Sequence, residues 1–286
     1  MSRKKSQATK LTIGALVCAL VMPFAAGSAD AAQREKKPRK PKPGQQQPQN
    51  QPKPSQEAPA PPPKPAEQPP PAAYGTVDQR LWQYKTSEAR SAAQPMTGEA
   101  GQNAYAAIAL GRVLDQEKKY GEAEGQLRKA TELAPSDPAP WVYLGEAQLR
   151  QGKSGEAAFR KAADLAQAKG GADAAFYLGI AQYRLGNYDQ AVSTLGGARA
   201  SNSALVPFQI GVARSFQKNW AAAAEQLDRA IEMDSGLAYA YYYRALAQQG
   251  LGRNDRLIND LQRFVALAPN APEAERAKSI LSAMKR

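Results

Sequence analysis

The sequence predicts an all-α protein: an α-solenoid of about five helical hairpins, closed by a C-terminal capping helix and preceded by a proline-rich linker. Three observations predict it. The dipeptides Leu110-Gly111, Leu144-Gly145 and Leu178-Gly179 recur with a constant period of 34, a spacing that marks stacked helix-turn-helix units. Around each dipeptide the large residues follow helical spacing. Trp141, Leu144 and Gln148 share one face of a segment that stops at Gly152. Small residues recur in the second half of the unit. Ala123 and Ala130 lie seven apart, two turns along one face, which lets the two helices of a hairpin approach closely.

The N-terminus reads differently. Met1–Lys10 is basic, Leu11–Gly27 is an apolar run, and Ser28-Ala29-Asp30-Ala31 follows. That order describes a secretory signal peptide over 1–31, cleaved after Ala31. Lipidation at Cys18 is a poor alternative, because Val17 stands where a small residue is wanted. Retention of 11–27 as an inner-membrane anchor is the other alternative. It is disfavoured because the run falls short of the ~20 residues that usually span a bilayer. A basic cluster also follows it, on what would be the outer side. The expected location is therefore exported, in the periplasm or cell envelope.

Residues 32–73 are basic and rich in proline and glutamine, with almost no large apolar side chain. Such a segment cannot offset the entropy of folding, and its prolines favour an extended chain. It is predicted to be a disordered linker. Of the formal charge of +12, +3 falls in residues 1–31 and +5 in residues 32–73, leaving +4 for the rest. The folded part is thus nearly balanced, which argues against nucleic acid as a partner.

Tyr74–Asn103 is predicted to hold one capping helix, from about Val77 to Ala93. Hairpins follow over 104–271. In the second, Ala157 and Ala162 are five apart rather than seven, so a distorted second helix and a protruding loop at Lys169-Gly170-Gly171 are expected. In the fifth, Leu257 and Phe264 replace the small alanines. Residues 272–286 form the capping helix that covers the last apolar face.

From about Ala104 onward the chain resembles the tetratricopeptide repeat family, through the recurring Leu-Gly pairs, the spaced alanines and closing residues such as Pro135 and Pro269. The resemblance implies a groove, lined by the first helix of each hairpin, that binds peptides or protein segments. It implies no catalysis. On that alignment the groove residues are Tyr105 and Arg112, then Tyr143, Glu146 and Arg150, then Phe176, Tyr177, Ile180, Tyr183 and Arg184, then Phe208, and finally Tyr239, Tyr242 and Tyr243. Arg150 and Arg184 hold equivalent places one period apart, so a positive ladder beside an aromatic wall is expected, open to a partner. The lysine–asparagine clamp of chaperone-binding members is absent: the matching positions hold Ile108 with Arg112, Val142 with Glu146, and Phe176 with Ile180.

The chain contains no histidine, and its one cysteine lies in the leader. No catalytic set, metal site or cofactor site is expected. The sequence therefore suggests a non-enzymatic interaction scaffold with an unidentified protein or peptide partner. The alternative is a structural tether whose basic linker binds an anionic cell-wall or membrane polymer.

Overall fold

The computed structural model describes residues 68–198 and 203–284. The leader with its cleavage site, the anchor alternative at 11–27, Cys18 and the linker through residue 67 lie outside the described residues. Among the described residues there are thirteen α-helices and no strand. None of these helices is long and apolar enough to cross a membrane.

The helices pair as sequential hairpins. An N-terminal pair, α1 (Tyr74–Trp82) with α2 (Thr86–Ala93), is followed by a 3-10 turn at Gln94–Met96 and precedes the five hairpins counted from residue 104. Then come α3 (Ala104–Gln116) with α4 (Tyr120–Leu133), α5 (Pro138–Arg150) with α6 (Glu156–Lys169), and α7 (Gly171–Arg184) with α8 (Tyr188–Gly197). The series continues with α9 (Leu205–Phe216) and α10 (Trp220–Met233), then α11 (Ala238–Gly250) and α12 (Asn254–Leu267), and ends at α13 (Ala274–Met284).

Local chemistry sets the boundaries. Asn103 caps α3 by accepting hydrogen bonds from the backbone N–H groups of Tyr105 and Ala106. Asp137 does the same for α5 through Ala139, with Pro138 at the first helical position, where its missing N–H is harmless. Every first helix then turns through one residue in the left-handed region. These are Tyr84, Lys118, Gly152, Gly186, Lys218 and Gly252. Glycine adopts that conformation without steric cost; at Tyr84, Lys118 and Lys218 the turn is closed by backbone hydrogen bonds from the next N–H, of Lys85 to Arg80, Lys119 to Leu114 and Asn219 to Arg214.

Inside the hairpins a glycine on the first helix faces a large residue on the second. A Cβ added to Gly111 would sit 2.7 Å from Leu127, one on Gly179 2.4 Å from Leu195, and one on Gly211 2.5 Å from Leu227. The offset from glycine to leucine is the same in all three. In the second hairpin the partner of Gly145 is Phe159, at 2.7 Å and two positions earlier than that offset would place it. The connection there, Gln151–Gly155, has five residues where the others have three, yet Phe159 follows the left-handed Gly152 by seven positions where Leu127 follows Lys118 by nine. The seven-residue pair of small positions is therefore Gly155 and Ala162, both buried, not Ala157 and Ala162. The second helix is regular once this shift is seen. The expected protruding loop at 169–171 is also corrected. α6 runs through Lys169, α7 starts at Gly171, and Gly170 alone joins them at φ +66°.

The single capping helix expected over 77–93 is instead the hairpin α1–α2, broken at Gln83–Lys85. It follows the same period as the rest: Tyr84 precedes Lys118 by 34, and Ala89 precedes Ala123 by 34. Val77, Leu81, Ala89, Ala93 and Met96 pack against Ala106, Ala109, Leu110 and Val113 of the next hairpin. At the other end Ala274, Ala277 and Ile280 of α13 join Leu257, Leu261 and Phe264 in one buried cluster. Leu257 and Phe264 are fully buried.

Candidate functional site: the face of the first helices

The first helices of successive hairpins lie side by side, so their shared face carries the fourteen residues expected to line a groove. The structure brings most of them together. Tyr143 meets Tyr177 edge-on at 6.2 Å, Tyr177 meets Phe176 at 5.4 Å, and Phe208 meets Tyr243 at 6.2 Å. Tyr242 contacts both Tyr239 and Tyr243. The Arg112 guanidinium lies 4.3 Å above the Tyr143 ring. Tyr105 packs against Tyr74.

This face is closed rather than open. Tyr143, Phe176, Ile180, Tyr183, Phe208 and Tyr242 are buried, and the other eight residues are half-buried. The Arg184 side chain is only 16% exposed and that of Arg112 only 11%.

The positive ladder is corrected as well. Each arginine is neutralised by a carboxylate from the preceding hairpin. Arg112 pairs with Asp78. Arg150 Nε lies 2.8 Å from Asp115. Arg184 donates two hydrogen bonds to Glu146, at 2.6 and 2.7 Å. The result is a diagonal of three ion pairs that stitches four hairpins together. Bidentate guanidinium–carboxylate geometry, as at Arg184, is the strong form of the contact.

Burial governs the titration of the site. Desolvation pushes the Tyr143 hydroxyl up to about 12, and neighbouring Arg112 only partly opposes it. Desolvation likewise raises the Asp115 carboxyl to about 6, against the pull of Arg150, with Glu146 adding to the rise and Arg112 opposing it. The Tyr183 hydroxyl donates to Gln209 at 3.0 Å, and the Tyr239 hydroxyl donates to Glu273.

What closes the face is the N-terminal hairpin, which the sequence reading did not place there. The indole of Trp82 stands edge-on to Phe208 at 6.3 Å, with Arg112 over its ring at 5.1 Å. Gln83 donates to both carboxylate oxygens of Asp234, at 3.1 and 3.3 Å. Tyr84 packs on Tyr239 at 5.6 Å. One turn of chain after α1 thus spans to the fourth and fifth hairpins. A signal for its membership of the array was present, because Asp78, Trp82 and Tyr84 stand one period before Arg112, Gln116 and Lys118. The contact with Phe208 and Asp234 depends on the curvature of the whole stack and has no local signal.

A face built this way can hold side chains by stacking, cation–π contact and paired charge. Among the described residues no group of three His, Cys, Asp or Glu side chains could hold a metal ion.

The architecture is an α-solenoid of helical hairpins. Residues 173–201, the third hairpin, match the family model of the tetratricopeptide repeat. A chain of the APC/C hetero-tetramer Cut9–Hcn1 is similar over 74% of this chain and 42% of its own, at 16% identity and a TM-score of 0.50. This chain therefore covers less than half the length of that one. A thermophilic tetratricopeptide protein of Thermus thermophilus is similar over 64% of this chain and 100% of its own, at 19% identity and a TM-score of 0.51. The third hairpin carries the sequence pattern of the tetratricopeptide repeat, and the array is similar in fold to solenoids of such repeats.

Proposed function

We infer that this protein is an interaction scaffold, and that the segment it holds belongs to another protein. The observation that carries the reading is the face of the first helices, where tyrosines, phenylalanines and arginines are concentrated along one continuous surface. Those residue types most often dominate interface energy. Repeats of this class are generally interaction modules rather than catalysts, and nothing in the sequence offers a nucleophile–base pair. The leader pattern at 1–31 supports export, and we place the work of the scaffold in the cell envelope, in assembly or coordination.

The test is crosslinking in the native cells, with the full chain and with a chain lacking residues 32–66, followed by identification of what is captured. The reading expects the same protein partner from both. Capture lost with the linker would instead favour the tether, in which basic residues such as Arg34, Lys36, Lys37, Arg39, Lys40 and Lys42 grip an anionic polymer.

A further inference from the structure

The turn Trp82–Gln83–Tyr84 has features that ordinary packing of one repeat on the next does not require. In the equivalent left-handed position the other hairpins place glycine or lysine, and both lysines, Lys118 and Lys218, are exposed. Here the position holds a tyrosine whose ring is buried and reaches across to Tyr239 of the fifth hairpin. Beside it, Gln83 joins Asp234 across 151 residues of sequence. Contacts in a solenoid otherwise run between neighbours.

We propose that this turn is a clasp that holds the inner face shut, and that a partner segment enters only when the clasp releases. The clasp and the helix α1 that carries it also specify the partner's chemistry, because together they already occupy the site. A carboxylate, Asp78, meets Arg112. One helical turn on, Trp82 meets Phe208, and two residues later Tyr84 meets Tyr239. A segment with an acidic residue four before one aromatic and six before another reproduces all three contacts. The proposal rests on the reading that this face receives the partner.

A protein whose competent state is rarely populated binds with its affinity reduced by that population, so weakening the clasp should strengthen capture. Gln83→Glu keeps the shape and sets a carboxylate against Asp234. Asp234→Asn in the same chain removes the repulsion. Two readouts are needed. The first is energy transfer between dyes on cysteines placed at Ser87 and Glu232, both exposed, with Cys18 replaced by serine. The second is binding of a fluorescent peptide with the sequence of residues 74–84, and of a control peptide altered at the positions of Asp78 and Trp82.

Gln83→Glu should lower the transfer and tighten binding of the matching peptide at least tenfold, with no gain for the control. Gln83→Glu/Asp234→Asn should restore both readouts. Unchanged transfer and unchanged binding would overturn the clasp and leave the scaffold reading standing. A chain that opens yet binds the peptide no better would overturn the gating, and with it the choice of this face as the binding surface. Should Gln83→Glu lose its helical circular dichroism, the wild-type chain is titrated with the matching peptide. A fall in transfer then supports the proposal, and constant transfer at saturating peptide overturns it.

Discussion

Replacing Tyr177 and Arg184 together by alanine distinguishes a closed inner face from an open one. On an open groove both side chains would have few neighbours, and the melting temperature would hardly move. In the structure Tyr177 packs between Tyr143 and Phe176, and the largely covered Arg184 side chain makes a bidentate pair with Glu146. Truncating a fully buried aromatic costs roughly 3–5 kcal/mol. Tyr177 is half-buried, so about 2 kcal/mol is the fitting scale by the same principle. Removing one partner of a buried pair costs about 3–5 kcal/mol because the other charge is stranded. With the Glu146 side chain 23% exposed, solvent reduces this to about 2 kcal/mol. The sum, about 4 kcal/mol, corresponds to a fall of roughly 8–16 °C for a domain of this size. Thermal unfolding followed by far-UV circular dichroism measures it. A midpoint within about 2 °C of wild type would refute the closed geometry, given that scale.

Three further outcomes are expected. Gly145→Leu should destabilise the array by at least 1–3 kcal/mol, roughly the cost of overpacking, because even a Cβ would stand 2.7 Å from Phe159; Gly125→Ala, in the open, should instead stabilise by about 0.5–1 kcal/mol. The Asp115 carboxyl should titrate near pH 6 by NMR. Its folded value lies above its unfolded one, so its contribution to stability is complete at low pH and disappears as pH rises through about 6; a titration at the ordinary aspartate value would contradict its burial. Glu124 behaves oppositely. Hydrogen bonds led by Lys153 hold it down to about 2, so its contribution is present above the usual glutamate range and lost as pH falls toward 2, and Lys153→Ala should move its titration upward.

Much of the array was legible because its packing is local. Leu110-Gly111 and its successors mark where helices touch, and the constant offset from glycine to leucine follows from one turn of fixed length. The second hairpin departs from the expectation where its connection widens to Gln151–Gly155, since Gly155 is small enough to replace alanine but reads as a loop residue. The N-terminal hairpin was misjudged because Val77 stands where most of the other repeats have glycine, which hides a period that Tyr84 and Ala89 keep. The identities of the inner-face residues were legible, but their environment was not. Arg112, Arg150 and Arg184 look like free cations in sequence because their carboxylates, Asp78, Asp115 and Glu146, lie a full repeat or slightly more upstream, beyond the reach of any helical-spacing rule.

The bond between Gln83 and Asp234 bears on how the chain folds. A linear array can nucleate anywhere, grow by neighbour contacts and fray from either end. Joining residues 151 apart converts the line into a loop whose closure entropy is met only after the intervening hairpins are in place. That step adds long sequence separation to an otherwise local topology, and such contacts slow folding. Once made, it ties down the N-terminal end, while α11, α12 and α13 continue beyond Asp234. The N-terminal and fourth hairpins are then expected to exchange their amide hydrogens together rather than each at its own rate.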